Sequence, residues 1–174
     1  MAPIIETGRL SLYLMRDDDA PFVCRLVNEP QFIARIGDKG VQTVADAVRY
    51  LHDVPMASYR EYGYGGYLVR LRDSGERIGM CGLYRRSNLD HPDLGFAIGA
   101  AFVGKGYGFE AATGVIRYAQ SALRIQLLAA ITNPDNLPSL RLIQKLGFAE
   151  KGAYRMPGDV EDLRYFELSL QPER

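Results

Sequence analysis

Residues 99–112 read GAAFVGKGYGFEAA, and Gly104, Gly106 and Gly108 with Lys105 between them are residue types that hold phosphate. Glycines leave no Cβ to block close approach, backbone N–H groups supply donors, and a helix starting there adds its positive end. Gly99, four residues and Gly104-Lys105 nearly complete the GxxxxGK[ST] loop of nucleotide triphosphatases, whose next hydroxyl holds Mg²⁺. Gly106 stands at that hydroxyl position, and the apolar run 125–131 leads into TNP rather than into a metal-binding Asp. A metal-free pyrophosphate fits what remains; the alternative is a glycine turn that serves only tight helix packing.

The elements that must position this loop are readable from period and punctuation. Residues 9–15 alternate, with Leu10, Leu12 and Leu14 on one side, as in a half-buried strand. Asp17 to Asp19 offer cap oxygens to a helix carrying Phe22, Val23, Leu26 and Val27 and ending near NEP (28–30). Thr43 and Asp46 have capping-box spacing before a second helical stripe at Val44, Ala47, Val48 and Leu51, so two helices are expected before the next strands. Strands follow at 67–71 and 77–84 around the turn RDSGE, and a fourth at 93–98. The spacing of Ala112, Val115, Ile116 and Ala119 predicts a helix from the last glycine to Ser121, which puts the cradle at its N-terminus. A strand at 125–131, a helix capped by Asn136 with Pro138 in its first turn and Gly147 past its end, and strands at 150–154 and 163–170 complete βααβββαβαββ. The expected architecture is one α/β (α+β) domain over 1–174, built on a mixed seven-stranded sheet flanked by about four helices.

Composition narrows the function classes. At 174 residues and 47% hydrophobic, the chain can bury one full core. Twenty-one basic residues balance twenty-one acidic ones, so no global positive field exists to hold a nucleic acid. The start MAPIIETGRL lacks a basic segment followed by an apolar run, and no stretch reaches membrane-spanning length, so a soluble cytoplasmic protein is expected. Cys24 and Cys81 are isolated and read as small buried apolar groups; with His52 and His91 they make no metal constellation.

These motifs together resemble the GNAT family of N-acetyltransferases, and more closely its branch of ribosomal-protein N-terminal acetyltransferases. ETGRL (6–10) and DDDA (17–20) look like that branch's first strand and helix, and DLGFAI (93–98) like its fourth strand. VGKGYG (103–108) matches the family's Q/RxxGxG/A loop with FEA (109–111) as its continuation, and NLPS (136–139) with QKLGF (144–148) resembles the second signature. The resemblance implies a GNAT-type fold whose mixed, mostly antiparallel sheet splays between its fourth and fifth strands, and acetyl-CoA as cosubstrate. The amides of Phe102, Val103, Gly104, Lys105, Gly106, Tyr107 and Gly108 would hold the CoA pyrophosphate. The pantetheine arm would pair with the backbone of Phe96, Ala97 and Ile98 as an added strand. Asn136 would bond the cofactor near its thiol end, and Ser139 would face the sulfur. Two positions depart from the pattern. Val103 replaces the loop's Gln or Arg at the loss of a side-chain contact but no backbone donor, and Ile143 stands where many members carry a Tyr general acid. In the ribosomal branch a serine at the place of Ser139 is the substitute acid.

Acetyl transfer to an amine asks for an unprotonated nucleophile, a stabilised oxyanion and a leaving thiolate. An α-amine, with pKa about 7.7–8.0, needs less help near neutral pH than a lysine at about 10.4. Asp93, Glu110 and Glu150 are the base candidates. Asp93 at the start of the fourth strand could reach a water on the acceptor; Glu110 also suits the first turn of its helix, and Glu150 an exposed strand. Tyr59, Tyr62, Tyr64, Tyr67 and Tyr84 either wall an acceptor groove or pack a helix-to-strand junction, and the charged LYRR (83–86) either ends a strand or attracts an acidic acceptor. The expected activity is transfer from acetyl-CoA to the N-terminal α-amine of a protein or peptide, by direct attack in a ternary complex. A small-molecule amine acetyltransferase and a non-catalytic acyl-CoA-binding module are the alternatives. Monomer and homodimer both remain open.

Overall fold

The period-two stretch forms β2 (Leu10–Leu14), with Leu10 and Leu12 fully buried, in a computed structural model that describes residues 1–170. The expected domain runs to 174, so its last four residues lie outside the described residues. β2 pairs antiparallel with β1 (Ile5–Glu6) on one side and with β3 (Gly66–Leu71) on the other. The ladder continues antiparallel through β4 (Arg77–Tyr84) to β5 (Asp93–Ile98), with Gly75 at φ +74° closing the turn between β3 and β4. Beyond β5 lie β6 (Leu127–Thr132), β8 (Leu163–Ser169) and β7 (Ala149–Tyr154), again antiparallel among themselves.

Among the described residues the sheet thus has eight strands rather than seven, because β1 is two residues long and too short to show a period. Its one parallel neighbour pair is β5 with β6, and there a single register pair forms, Asp93 with Ala129. After that pair the two strands share no ladder. This is the expected splay, and it leaves one edge of β5 without strand partners over 94–98.

Among the described residues six α-helices flank the sheet, against about four expected. α1 (Ala20–Val27) and α3 (Val44–Asp53) bury the predicted stripes, and Thr43 caps α3 reciprocally with Asp46. Two helices went unread. Pro30 opens α2 (Pro30–Arg35) instead of ending α1's segment, since a proline at a first helical position loses no intrahelical bond. α4 (Pro55–Tyr62) likewise starts on a proline and ends at left-handed Gly63. Asp19 does not cap α1 with its side chain: its carboxylate is buried, accepting from Arg16 N–H at 3.0 Å and from Arg77 Nε at 2.9 Å.

α5 (Tyr107–Ser121) and α6 (Leu137–Lys145) occupy the other face. Ala111, Ala112, Val115 and Ala119 of α5 pack on Leu10, Tyr67, Val69, Cys81 and Leu83, while Leu68 and Met80 point the opposite way, into α1 and α3. Each fully buried Leu or Val in these two layers is worth roughly 1.5–3 kcal/mol. The layers hold the open edge of β5 between α5 and α6 on one face and α2–α4 on the other.

Candidate active site

The glycine loop adopts the conformation that only glycine takes without strain. Gly104 and Gly106 have φ +78° and +81°, and a Cβ on Gly104 would meet nothing within 4 Å. Gly106 is the N-cap of α5, where no side chain caps the helix, and among the described residues no backbone or side-chain acceptor takes the N–H groups of 103–109, whereas the N–H of Phe102, expected in the cradle, donates to Gly99 O at 2.9 Å and closes the turn before it. Seven donors without an acceptor among the described residues, in the loop and first turn of α5, are suited to hold an anion. Gly108 differs: its Cβ would stand 3.2 Å from Leu142 Cδ1, so it serves close packing of α5 against α6.

A cavity of about 1040 Å³ begins at this loop and runs along the splay. Phe96, Ala97 and Ile98 line it, as do Phe102, Val103, Gly104, Gly106, Tyr107, Gly108, Asn136, Ser139 and Asp93. Lys105 alone of the expected cradle does not; its ammonium lies 5.7 Å over the Phe102 ring and its carbonyl accepts from Arg9. Arg141 and Lys145, one turn apart on α6, line the cavity beside Phe109 and add positive charge that the sequence reading missed. α2 spans the splay: Gln31 Nε2 reaches Ile98 O at 3.4 Å, and Arg35 O accepts from Asn133 Nδ2 at 3.1 Å.

Asn136 spends its side-chain oxygen as the cap of α6, accepting from Ser139 N–H at 3.3 Å. Ser139 faces the cavity half-buried, and its hydroxyl has no hydrogen bond within the described residues. Ile143 is buried one turn on and also lines the cavity, so the phenol usual at that position is absent.

Asp93 is 2% exposed and accepts from Arg86 Nε at 3.0 Å. Burial pushes its carboxyl above the usual carboxylate range, with the Arg86 charge and hydrogen bond opposing. The other two base candidates fall away. Glu150 is exposed and gripped by both Arg164 nitrogens at 2.7 Å, and Glu110 is bound by Thr7 and Arg9; neither lines the cavity.

The tyrosines divide. Tyr59 stacks on Tyr67 with centroids 5.9 Å apart and takes Met15 N–H at 3.2 Å, which is junction packing. Tyr62 and Tyr84, with Tyr50, line the cavity. Tyr84 lies flat across the sheet because Gly66 and Gly95 carry no side chain: a Cβ there would stand 2.5 Å from its hydroxyl or 2.7 Å from its ring. This glycine floor depends on cross-strand register and has no signature in the sequence. Arg35, Lys39, Arg85 and Arg86 share the far end with Asp53 and Glu61. Neither cysteine lines the cavity, and burial pushes the Cys81 thiol far up. His52 sits outside it, paired with Asp17 at 2.7 Å. Among the described residues no group of metal-ligating side chains gathers, and no helix is long and apolar enough to cross a membrane.

Comparison with known proteins agrees with the geometry. An uncharacterised N-acetyltransferase, p20, of Bacillus licheniformis is 25% identical over 94% of both chains. The [ribosomal protein uS5]-alanine N-acetyltransferase of Escherichia coli is 42% identical over 59 residues, 34% of this chain and 30% of its own. A solved ribosomal L7/L12 alpha-N-protein acetyltransferase in complex with coenzyme A superposes with TM-score 0.81 at 15% identity, over 94% of this chain and 96% of that one. A Vibrio cholerae spermidine N-acetyltransferase chimera shares the fold at TM-score 0.76 and 15% identity, covering 94% and 96%. The same fold therefore hosts protein and polyamine acceptors, and fold alone does not choose between them. The family model of the acetyltransferase (GNAT) domain matches residues 9–149, from β2 past the loop, the splay and α6. The chain belongs to the GNAT family of N-acetyltransferases, enzymes that take their acetyl group from acetyl-CoA.

Proposed function

We propose that the chain acetylates the N-terminal α-amine of a protein or peptide by direct attack in a ternary complex. The observation that carries this reading is the continuity of one cavity from the unpaired amides of α5 to Asp93 and the α2–α4 wall. At about 1040 Å³ it matches the upper range of single-ligand pockets, and its two ends differ in chemistry. No thiol lines it, so an acetyl-cysteine relay has no nucleophile.

The residues fit acetyl-CoA, which when bound supplies an activated acetyl thioester. The N–H groups of 103–109 would hold its diphosphate, with Arg141 and Lys145 adding charge at the mouth. The edge of β5 at Phe96, Ala97 and Ile98, without a strand partner, would offer main-chain groups to the pantetheine amides, and side-chain identity there matters little. Asp93, raised by burial yet steadied by Arg86, accepts the acceptor's proton directly or through one water. Ser139, with its hydroxyl uncommitted, donates to the departing sulfur, a modest task because a thiol of pKa about 8.5 leaves readily. An α-amine partly unprotonated near pH 7 suits a site with one buried carboxylate and Ile143 where the family's usual phenol would stand.

The test is initial-rate kinetics with acetyl-CoA and a free-N-terminus peptide, with the product mapped by mass spectrometry. Intersecting double-reciprocal lines and an acetylated N-terminus are expected. Parallel lines, or acetylation confined to lysine or to small amines, would overturn the reading.

A further inference from the structure

Thr7, Arg9 and Glu110 lie outside the cavity, yet they hold the glycine loop from behind. Glu110 Oε1 accepts from Thr7 Oγ1 at 2.6 Å and from Arg9 N–H at 2.7 Å, and Oε2 accepts from Arg9 Nε at 2.6 Å. The guanidinium so fastened donates from Nη1 to Lys105 O at 3.0 Å and lies 4.5 Å over the Tyr107 ring. Its Nη2 stands 3.3 Å from where a Cβ on Gly106 would sit. Burial alone would raise the Glu110 carboxyl; the hydrogen bonds from Thr7 and Arg9 outweigh it and hold the group below its ordinary range, so the clamp is ionic at neutral pH.

A trans peptide unit points its C=O and N–H in opposite directions. Holding Lys105 O towards Arg9, outside the cavity, therefore turns the Gly106 N–H to the opposite side. We infer that Arg9 and Glu110 are positioning residues for the diphosphate: Glu110 fixes the guanidinium, and the guanidinium fixes the Lys105–Gly106 peptide plane that presents the cradle's donors. This rests on the CoA site proposed above and deepens it. It also explains why an Arg in β2's approach and a Glu in the first turn of α5, 101 positions apart, belong to one device.

A positioning clamp and a simple electrostatic field predict opposite signs. If Arg9 acted only through its charge, removing the neighbouring carboxylate would leave CoA binding unchanged or tighten it. If the clamp positions the loop, Glu110→Gln weakens CoA binding. The experiment is calorimetric titration of CoA into wild type, Glu110→Gln and Arg9→Lys, with thermal unfolding of each. Loss of about tenfold in affinity, on the order of 1.4 kcal/mol, is expected for both variants. In turnover, KM for acetyl-CoA rises with kcat kept, and kcat/KM for acetyl-pantetheine, which has no diphosphate, is unchanged. Arg9→Lys keeps the charge without the fork and checks the result should Glu110→Gln fold poorly. CoA binding by Glu110→Gln as tight as wild type or tighter, or equal losses with acetyl-pantetheine, overturns the clamp while leaving the CoA site intact. Absence of CoA binding by wild type removes the site itself, and the clamp with it.

Discussion

Gly104→Ala is the sharpest perturbation of the loop, because its cost has one source. A Cβ at Gly104 meets no atom within 4 Å, so collision contributes nothing, and φ is +78°. A left-handed backbone costs a residue with a Cβ about 1–2 kcal/mol. That cost appears in one of two places. If the variant stays left-handed without ligand, it is lost from stability, and Tm falls by about 2–8 °C for a chain of this size. If the loop relaxes, Tm holds and the cost is met when CoA binds, weakening affinity by about 5- to 30-fold. Relaxation is expected, because within 103–105 the one hydrogen bond among the described residues is Arg9 to Lys105 O. The assay is calorimetric titration of CoA together with Tm of the free and CoA-saturated variant. The two losses should sum to the left-handed cost, and Gly104→Asn, which tolerates that region better, should lose less. Full affinity with unchanged Tm in both states, or an Asn variant as impaired as Ala, would refute the reasoning.

Ser139→Ala should lower kcat by less than about tenfold with acetyl-CoA KM unchanged, since the α6 cap uses the Ser139 N–H rather than its hydroxyl and a thiolate needs little protonation; steady-state kinetics reads this, and an unchanged kcat removes Ser139 as acid. Asp93→Asn should cost on the order of 10²- to 10⁴-fold in kcat. Burial holds the Asp93 carboxyl above its ordinary value, so the base form, and with it kcat/KM, rises as pH climbs through that raised pKa. The Asn variant's pH profile should lack this limb, and a limb that persists assigns the base elsewhere. Gly82→Ala should destabilise the fold by about 3 kcal/mol in urea unfolding, because its Cβ would stand 2.1 Å from Gly65 O and 2.7 Å from Gly66 Cα, backbone atoms where the chain enters β3. A neutral effect there would mean that β3 and β4 pair more loosely than described.

Much of the framework was legible because it is local. Leu10 and Leu12 announce β2 by alternation, Thr43 and Asp46 announce α3 by spacing, and Ala112, Val115 and Ala119 announce α5 by helical period. What failed was short or rule-breaking: β1 has two residues, Pro30 begins a helix where NEP (28–30) reads as a stop, and α4, opened by Pro55, carries no clear apolar period. The site divides in the same way. Left-handed Gly104 and Gly106 follow from residue type, and Asn136 capping α6 follows from sequence order. Gly66 and Gly95 beneath Tyr84, and Arg9 on Glu110, are products of strand register and layer packing, which no local window contains; Arg86 and Asp93 stand seven residues apart, but their pairing depends on the course of the β4–β5 turn.

The most direct test of the account is release of free thiol from acetyl-CoA with two matched peptides, one with a free N-terminus and no lysine, the other N-terminally blocked with one internal lysine. Turnover is expected on the first and little on the second, with the first lost in Asp93→Asn. Turnover on the blocked peptide alone, or on neither peptide while CoA binds tightly, would contradict it.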